Sequence, residues 1–241
     1  MHNSEDLKLL KTNGYTIINL PNKNYLIQVR TIILNEINSI LKTNISNIEK
    51  MRSLVGSLNL KSLDKIRNLK LKGLSEKLIK AVGNKTKIVG KDLLYLQRYP
   101  HLNLNIANIN ESKTVSHNEI MSGHSPNTVV CWIPFHDIID ESGLYVLEKN
   151  KSMELYNTTN NFKKVFPIDD ELSELIPKCL KMKFGQAILF NSISHHGAKN
   201  HNKKKARISI DIRFQDIQYP LFEKNLDYFK VFNFKKRVNV K

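Results

Sequence analysis

The spacing of apolar residues changes character near residue 83. Before that point the repeat is helical. Leu26, Val29, Ile33, Ile37 and Ile40 fall on one face of a segment running from about 24 to 41. A shorter helix is predicted over residues 4–12, capped by Ser4, with Glu5 and Asp6 suited to its first turn. Asn13-Gly14 stops it, and YTIINL reads as a strand ending at Pro21. Further helices are expected between Asn44 and Val82, broken near Gly56 and Gly73. Beyond Gly83 the rhythm shortens to β-type runs: DLLYLQRY, LNLNIAN, TVVCWIPF, GLYVLE, QAILFN and RISIDIRF. TVVCWIPF is a run of apolar and β-branched residues that reads as a buried strand, and RISIDIRF alternates. Many short strands with few helices between them suggest a sandwich or barrel rather than a βαβ sheet. One inserted helix is expected in PIDDELSELIPKCL, started by Asp169 and Asp170. The chain thus divides, within a single domain 1–241, into a mostly helical region 1–83, a β-rich core 84–216 and an aromatic and basic tail 217–241 that packs over the core.

Composition narrows the class. With 41% apolar and 25% charged residues in 241, the chain can bury a core without disulfide staples. Its two cysteines, Cys131 and Cys179, lack any metal-type or paired spacing, so a reduced, cytoplasmic setting is expected. No apolar run approaches the roughly 20 residues of a membrane span, and the acidic N-terminus lacks a secretory pattern. The net charge of +16 comes from lysines scattered along the chain, with Lys203, Lys204 and Lys205 the one run. Scattered lysines read first as solvated faces, next as a field favouring an anionic small molecule, and only as a distant third as a nucleic-acid surface.

Candidate chemistry lies in two stretches. In His117-Asn118-Glu119 the one-residue gap points both side chains to the same face of an extended segment, just before TVVCWIPF. Far downstream, His196 precedes Gly197 at a step where backbones can approach closely, and Arg207-x-Ser209 opens the alternating strand. Two imidazoles and one carboxylate on one face of a divalent metal leave other positions open for a co-substrate and O2. A downstream arginine offers a planar, permanently charged fork for a dicarboxylate. His195 competes with His196 as ligand, since a strand would turn the two to opposite faces; the glycine step and the spacing to Arg207 favour His196. His101, His136 and His201 read as structural or exposed.

Over Tyr95–Phe214 these motifs resemble the phytanoyl-CoA dioxygenase-like branch of the iron(II)/2-oxoglutarate-dependent oxygenases, closest to members found with bacterial carbohydrate biosynthesis genes. The resemblance rests on HNE, on SPNTVVCWIPFHDIIDESGLYVLEKN, on FGQAILFNSISHHGAKN and on RISIDIRF. It implies an α+β fold: a double-stranded β-helix (jelly roll, cupin-like) core with the N-terminal helical region packed on one sheet. It implies Fe(II) held by His117, Glu119 and His196, with 2-oxoglutarate and O2 as co-substrates. Arg207, with Ser209 beside it, would hold the 2-oxoglutarate tail. Trp132 would line its pocket, Gln97 would bond its keto-acid end, and His124 would touch substrate or solvent. The implied reaction is oxidation, usually hydroxylation, of a small substrate such as a sugar or nucleotide sugar, releasing succinate and CO2. Three departures stand out: Glu119 where aspartate is commoner, Glu148-Lys149-Asn150-Lys151 in place of Pro-Gly-Ser-His, and Ala198 after the His-Gly step. The retained carboxylate argues against halogenation. The rival expectations are a metal-free jelly-roll binding protein and a basic nucleic-acid-associated protein. The sequence does not disclose the oligomeric state.

Overall fold

The computed structural model describes residues 2–89, 92–107, 109, 114–158, 176–199, 201 and 204–234. Its elements are α1 (His2–Asn13), β1 (Tyr15–Asn19), α2 (Lys23–Leu41), α3 (Ile48–Gly56), α4 (Leu60–Arg67) and α5 (Leu74–Val82). There follow β2 (Leu93–Gln97), β3 (His101–Asn105), β4 (Val129–Pro134), β5 (Leu144–Val146) and α6 (Lys149–Thr158). The last are β6 (Gln186–Asn191), β7 (His196–Ala198), β8 (Arg207–Asp216) and β9 (Phe229–Asn233). Helix boundaries follow local chemistry. The Asn47 side chain accepts from the Glu49 and Lys50 amides at the start of α3, and Asn59 accepts from Ser62 at the start of α4.

Seven of these strands form one antiparallel sheet in the order β1-β6-β4-β8-β2-β9, with β3 also paired to β8. β5 and β7 form a separate antiparallel pair. The large sheet has two dissimilar faces, as the period of two requires. Val129, Cys131, Ile133, Leu189, Ile208, Ile210, Ile212 and Phe214 pack against α2, α3, α4 and α5 through Leu26, Ile33, Met51, Leu63 and Leu78. On the opposite face Val130, Trp132, Ile188 and Phe190 meet Leu144 and Val146 of the small pair. The helices therefore seal one side of the sheet, while the other side and the β5–β7 pair enclose the candidate chemistry.

Every strand and helix expected before residue 149 is present in the structure. The expected helix in PIDDELSELIPKCL lies largely outside the described residues, and residues 176–180 are not helical. Two elements went unexpected. α6 begins within the Glu148–Lys151 departure, and β9 turns part of the C-terminal stretch into an edge strand through pairs such as Tyr95↔Val231. Among the described residues, no helix is long and apolar enough to cross a membrane.

α3 locks onto the start of β8. Arg52 Nε donates to the Ala206 carbonyl at 2.9 Å, and the Ala206 amide returns a bond to the Arg52 carbonyl at 3.0 Å. A Cβ added at Gly56 would lie 2.1 Å from the Lys204 carbonyl oxygen, a backbone atom that cannot swing aside. Gly56→Ala is expected to destabilise the protein by about 1–3 kcal/mol, read as a lower urea midpoint, by forcing α3 away from the strand it holds.

Candidate metal centre

The His117–Glu119 segment is laid alongside the chain entering β7 by a reciprocal pair of backbone bonds. The His117 amide donates to the His196 carbonyl at 3.1 Å, and the His196 amide to the His117 carbonyl at 2.9 Å. Two residues on, the Glu119 amide donates to the Ser192 carbonyl at 2.8 Å. Gly197 permits this approach, because a Cβ there would meet Tyr145 Oη at 2.5 Å and Ser116 Cα at 3.2 Å. Each imidazole is then oriented by a local carbonyl: His117 Nδ1 lies 2.7 Å from Val115 O, and His196 Nδ1 lies 3.0 Å from Ser194 O. A carbonyl only accepts, so Nδ1 carries the proton and Nε2 presents a lone pair. Glu119 Oε1 stands 4.0 Å from His117 Nε2 and 3.7 Å from His196 Nε2. His117, Glu119 and His196 each offer one ligand atom, all within 4.8 Å of one another. His195 faces elsewhere: its Nδ1 lies 3.5 Å from Asn118 Nδ2, and its backbone amide donates to Ser152 Oγ at 3.0 Å.

Burial alone would raise the Glu119 carboxyl, yet the group is held well below the usual carboxylate range, chiefly by Arg213 and then by the two histidines. Arg213 Nε donates to Oε2 at 2.9 Å and Nη2 to Oε1 at 2.6 Å, a two-pronged pairing. Its third nitrogen, Nη1, reaches Asp211 and approaches His101 Nδ1 at 3.0 Å. Burial pushes the His196 imidazole down to about 3, so it is neutral and available as a ligand.

A cavity of about 150 Å³ opens beside these groups, lined by His101, Asn103, His117, Trp132, Asp211 and Arg213 among others. Arg207 is fully buried, with its guanidinium carbon 5.4 Å from the centre of the Trp132 ring. Its Nη1 donates to the Ser142 carbonyl at 3.4 Å. Its Nε and Nη2, like Ser142 Oγ, have no hydrogen-bond partner among the described residues. A buried arginine with two idle donors is costly unless an acceptor joins it, and burial lowers its pKa to about 10. Ser209 Oγ donates to the Asn103 carbonyl at 3.4 Å. Gln97 is engaged at both ends: Oε1 accepts from the Arg213 amide at 2.9 Å, and Nε2 donates to Tyr99 O at 2.6 Å. His124 is buried against Tyr228 and Phe229, with Nε2 3.4 Å from Glu119 Oε2.

No protein-family model and no curated protein matches the sequence. Solved structures do match in three dimensions. EctD from S. alaskensis with bound Fe is 13% identical at a TM-score of 0.57, over 90% of this chain and 78% of that one. The epimerase SnoN in complex with Fe3+, α-ketoglutarate and nogalamycin RO is 12% identical at 0.52, over 89% and 84%. The non-heme α-ketoglutarate-dependent carbocyclase SnoK from nogalamycin biosynthesis is 12% identical at 0.52, over 88% and 83%. The chain has their fold. It combines helices with an antiparallel sheet, as the sequence led one to expect.

Sequence reasoning passed over Arg213, Asp211 and Ser142. The signal for the first two was present, since Arg207, Ser209, Asp211 and Arg213 share one face of β8 at alternate positions. Ser142 carried no such signal. It meets Arg207 only because the turn before β5 folds back over the sheet.

Buried neutral imidazoles make stability depend on pH. Burial lowers His124 and His196 to about 3 and His136 and His195 to about 4. The unfolded chain takes up these protons near pH 6.5. The stabilisation is therefore complete above that pH and is lost as pH falls towards the folded values. The urea midpoint is expected to hold steady above pH 7 and to drop from about pH 6 downwards, each histidine adding up to ~1.4 kcal/mol per pH unit. Equilibrium unfolding at several pH values checks this.

Proposed function

We propose that this protein is an iron(II)- and 2-oxoglutarate-dependent dioxygenase acting on a small molecule. The observation that carries the reading is a His-Glu-His cluster together with a buried arginine, beside Trp132 of the cavity wall, whose Nε and Nη2 find no acceptor among the described residues. The residues present fit both groups. Two imidazoles and one carboxylate suit a divalent iron with open positions, and among the described residues Arg207 Nε and Nη2 lack the kind of acceptor that the far carboxylate of 2-oxoglutarate would supply. The double-stranded β-helix reading, with 84–216 as the catalytic core under the helices of 1–83, rests on the likeness to the solved structures and on the sheet-over-pair arrangement.

His117, Glu119 and His196 would hold the iron, while Arg207 would fix the distal carboxylate of 2-oxoglutarate. When bound, iron(II) with 2-oxoglutarate and O2 supplies a two-electron oxidation of a substrate C–H bond, with succinate and CO2 as co-products. The chain's share is positioning and exclusion of water. Val115 and Ser194 carbonyls keep the imidazole protons on Nδ1, so the Nε2 lone pairs face the cavity. Trp132 lines the cavity beside Arg207 and would form a wall for the co-substrate, and Ser209, two residues along β8 from Arg207, would add a hydroxyl to the co-substrate's tail. Gln97 acts on the site through Arg213. His124 serves Glu119 from behind, since its buried ring contacts that carboxylate. The substrate proposed is a sugar or nucleotide sugar, as in the carbohydrate-associated phytanoyl-CoA dioxygenase-like proteins that the motifs resemble. The polar cavity residues His101, Asn103 and Thr114 support a hydroxyl-rich ligand. A cytoplasmic setting agrees with two buried free thiols.

Incubation with iron(II), 2-oxoglutarate and ascorbate is expected to release succinate, faster with the true substrate. His117→Ala and Arg207→Ala are each expected to abolish it, and full activity in either would refute the assignment. Arg207→Lys keeps the charge but loses the fork. It is expected to raise the KM for 2-oxoglutarate by at least ~10-fold, about 1.4 kcal/mol of lost binding.

A further inference from the structure

We propose that Arg213 is the positioning residue of the metal centre: its fork on Glu119 leaves one carboxylate lone pair free and aims it at the two imidazoles. This rests on the dioxygenase reading only as far as the existence of a metal site.

An ionised carboxylate offers about four lone-pair positions. Arg213 Nη2 takes one on Oε1, at 2.6 Å, and Arg213 Nε takes one on Oε2, at 2.9 Å. His124 Nε2 stands 3.4 Å from Oε2, and His124 is not among the residues lining the cavity. What remains free on Oε1 lies between His117 Nε2 and His196 Nε2, at 4.0 and 3.7 Å. Glu119 is thereby set to bind through Oε1 alone, which keeps the further metal positions open. Without the clamp, the carboxylate could turn to chelate with both oxygens or swing out of the site.

Arg213 is itself fixed from three directions. Asp211 pairs with Nη1, Gln97 Oε1 accepts from its backbone amide, and the His101 ring approaches Nη1. The arrangement also accounts for a glutamate at this position. The longer side chain spans from the His117 segment to an arginine on β8, and an aspartate, one methylene shorter, would not make both bonds from the same backbone position.

The test is Mn2+ titration by calorimetry into the full chain and into Arg213→Met, Arg213→Lys, Glu119→Gln and Glu119→Gln/Arg213→Met, each confirmed folded by near-ultraviolet circular dichroism. Arg213→Met is expected to weaken Mn2+ binding ~10–100-fold, the usual effect of removing a group that orients a metal ligand. Arg213→Lys, which reaches one oxygen, is expected to fall between it and the wild type. In the Glu119→Gln background the Arg213 substitution is expected to add no more than about 2-fold, because its effect passes through the carboxylate. Wild-type affinity in folded Arg213→Met or Arg213→Lys overturns the proposal, as does a full additional loss in the Glu119→Gln background. Should Arg213→Met fail to fold, Arg213→Lys and its combination with Glu119→Gln decide the matter by the same criteria. Absence of Mn2+ binding in the wild type would overturn the metal-centre reading itself, and this proposal with it.

Discussion

Everything in the site depends on the alternation of one strand. β8 runs through the middle of the large sheet and is buried on both faces from Arg207 to Gln215. Its even-numbered residues, Ile208, Ile210, Ile212 and Phe214, are fully buried in the core that includes the helices. Its odd-numbered residues, Arg207, Ser209, Asp211, Arg213 and Gln215, carry the polar groups of the opposite face. A one-residue slip would send every apolar side chain to the site and every charge into the core. The register is therefore enforced from both sides at once. The same enforcement places the two arginines at fixed positions relative to the His-Glu-His cluster.

The charges on that face are affordable only as a set. Glu119 and Asp211 are buried beside Arg213, and Arg207 is buried nearby, so two carboxylates stand against two guanidiniums. Removing any one leaves an uncompensated charge in a low-dielectric interior, which is why such groups are costly individually. On the proposed reading, a divalent cation and a dianionic co-substrate bound together would preserve the balance, whereas either alone would disturb it. This electrostatic constraint links Arg207 to the cavity through Asp211, which lines it.

The remaining architecture serves that face. α3 grips the backbone just before Arg207 through Arg52 and Ala206, so the helices that hold no chemistry still set where β8 begins. The β5–β7 pair brings Tyr145 against Gly197, and with it the His196 backbone against His117. β9 closes the far edge of the sheet and carries Phe229 against His124. A stretch that reads as a covering tail thus also packs against His124 beside Glu119.

The sequence by itself determined the local elements and the candidate donor set. Helical spacing in the first third, short strands afterwards, H-x-E before an apolar strand and R-x-S at the head of an alternating one are all set by neighbours within a few residues. So was the candidacy of His117, Glu119, His196 and Arg207, which rests on residue type and spacing. Tertiary structure alone decided which partners those groups found. Gln97, read from the sequence as a co-substrate contact, is tied to Arg213 and Tyr99, and His124 stands behind Glu119 rather than at the cavity. Arg213 became the clamp on Glu119, and the turn at Ser142 came to meet Arg207. Such pairings join residues far apart along the chain through sheet register and loop closure, and no periodicity within either segment encodes where the other will lie.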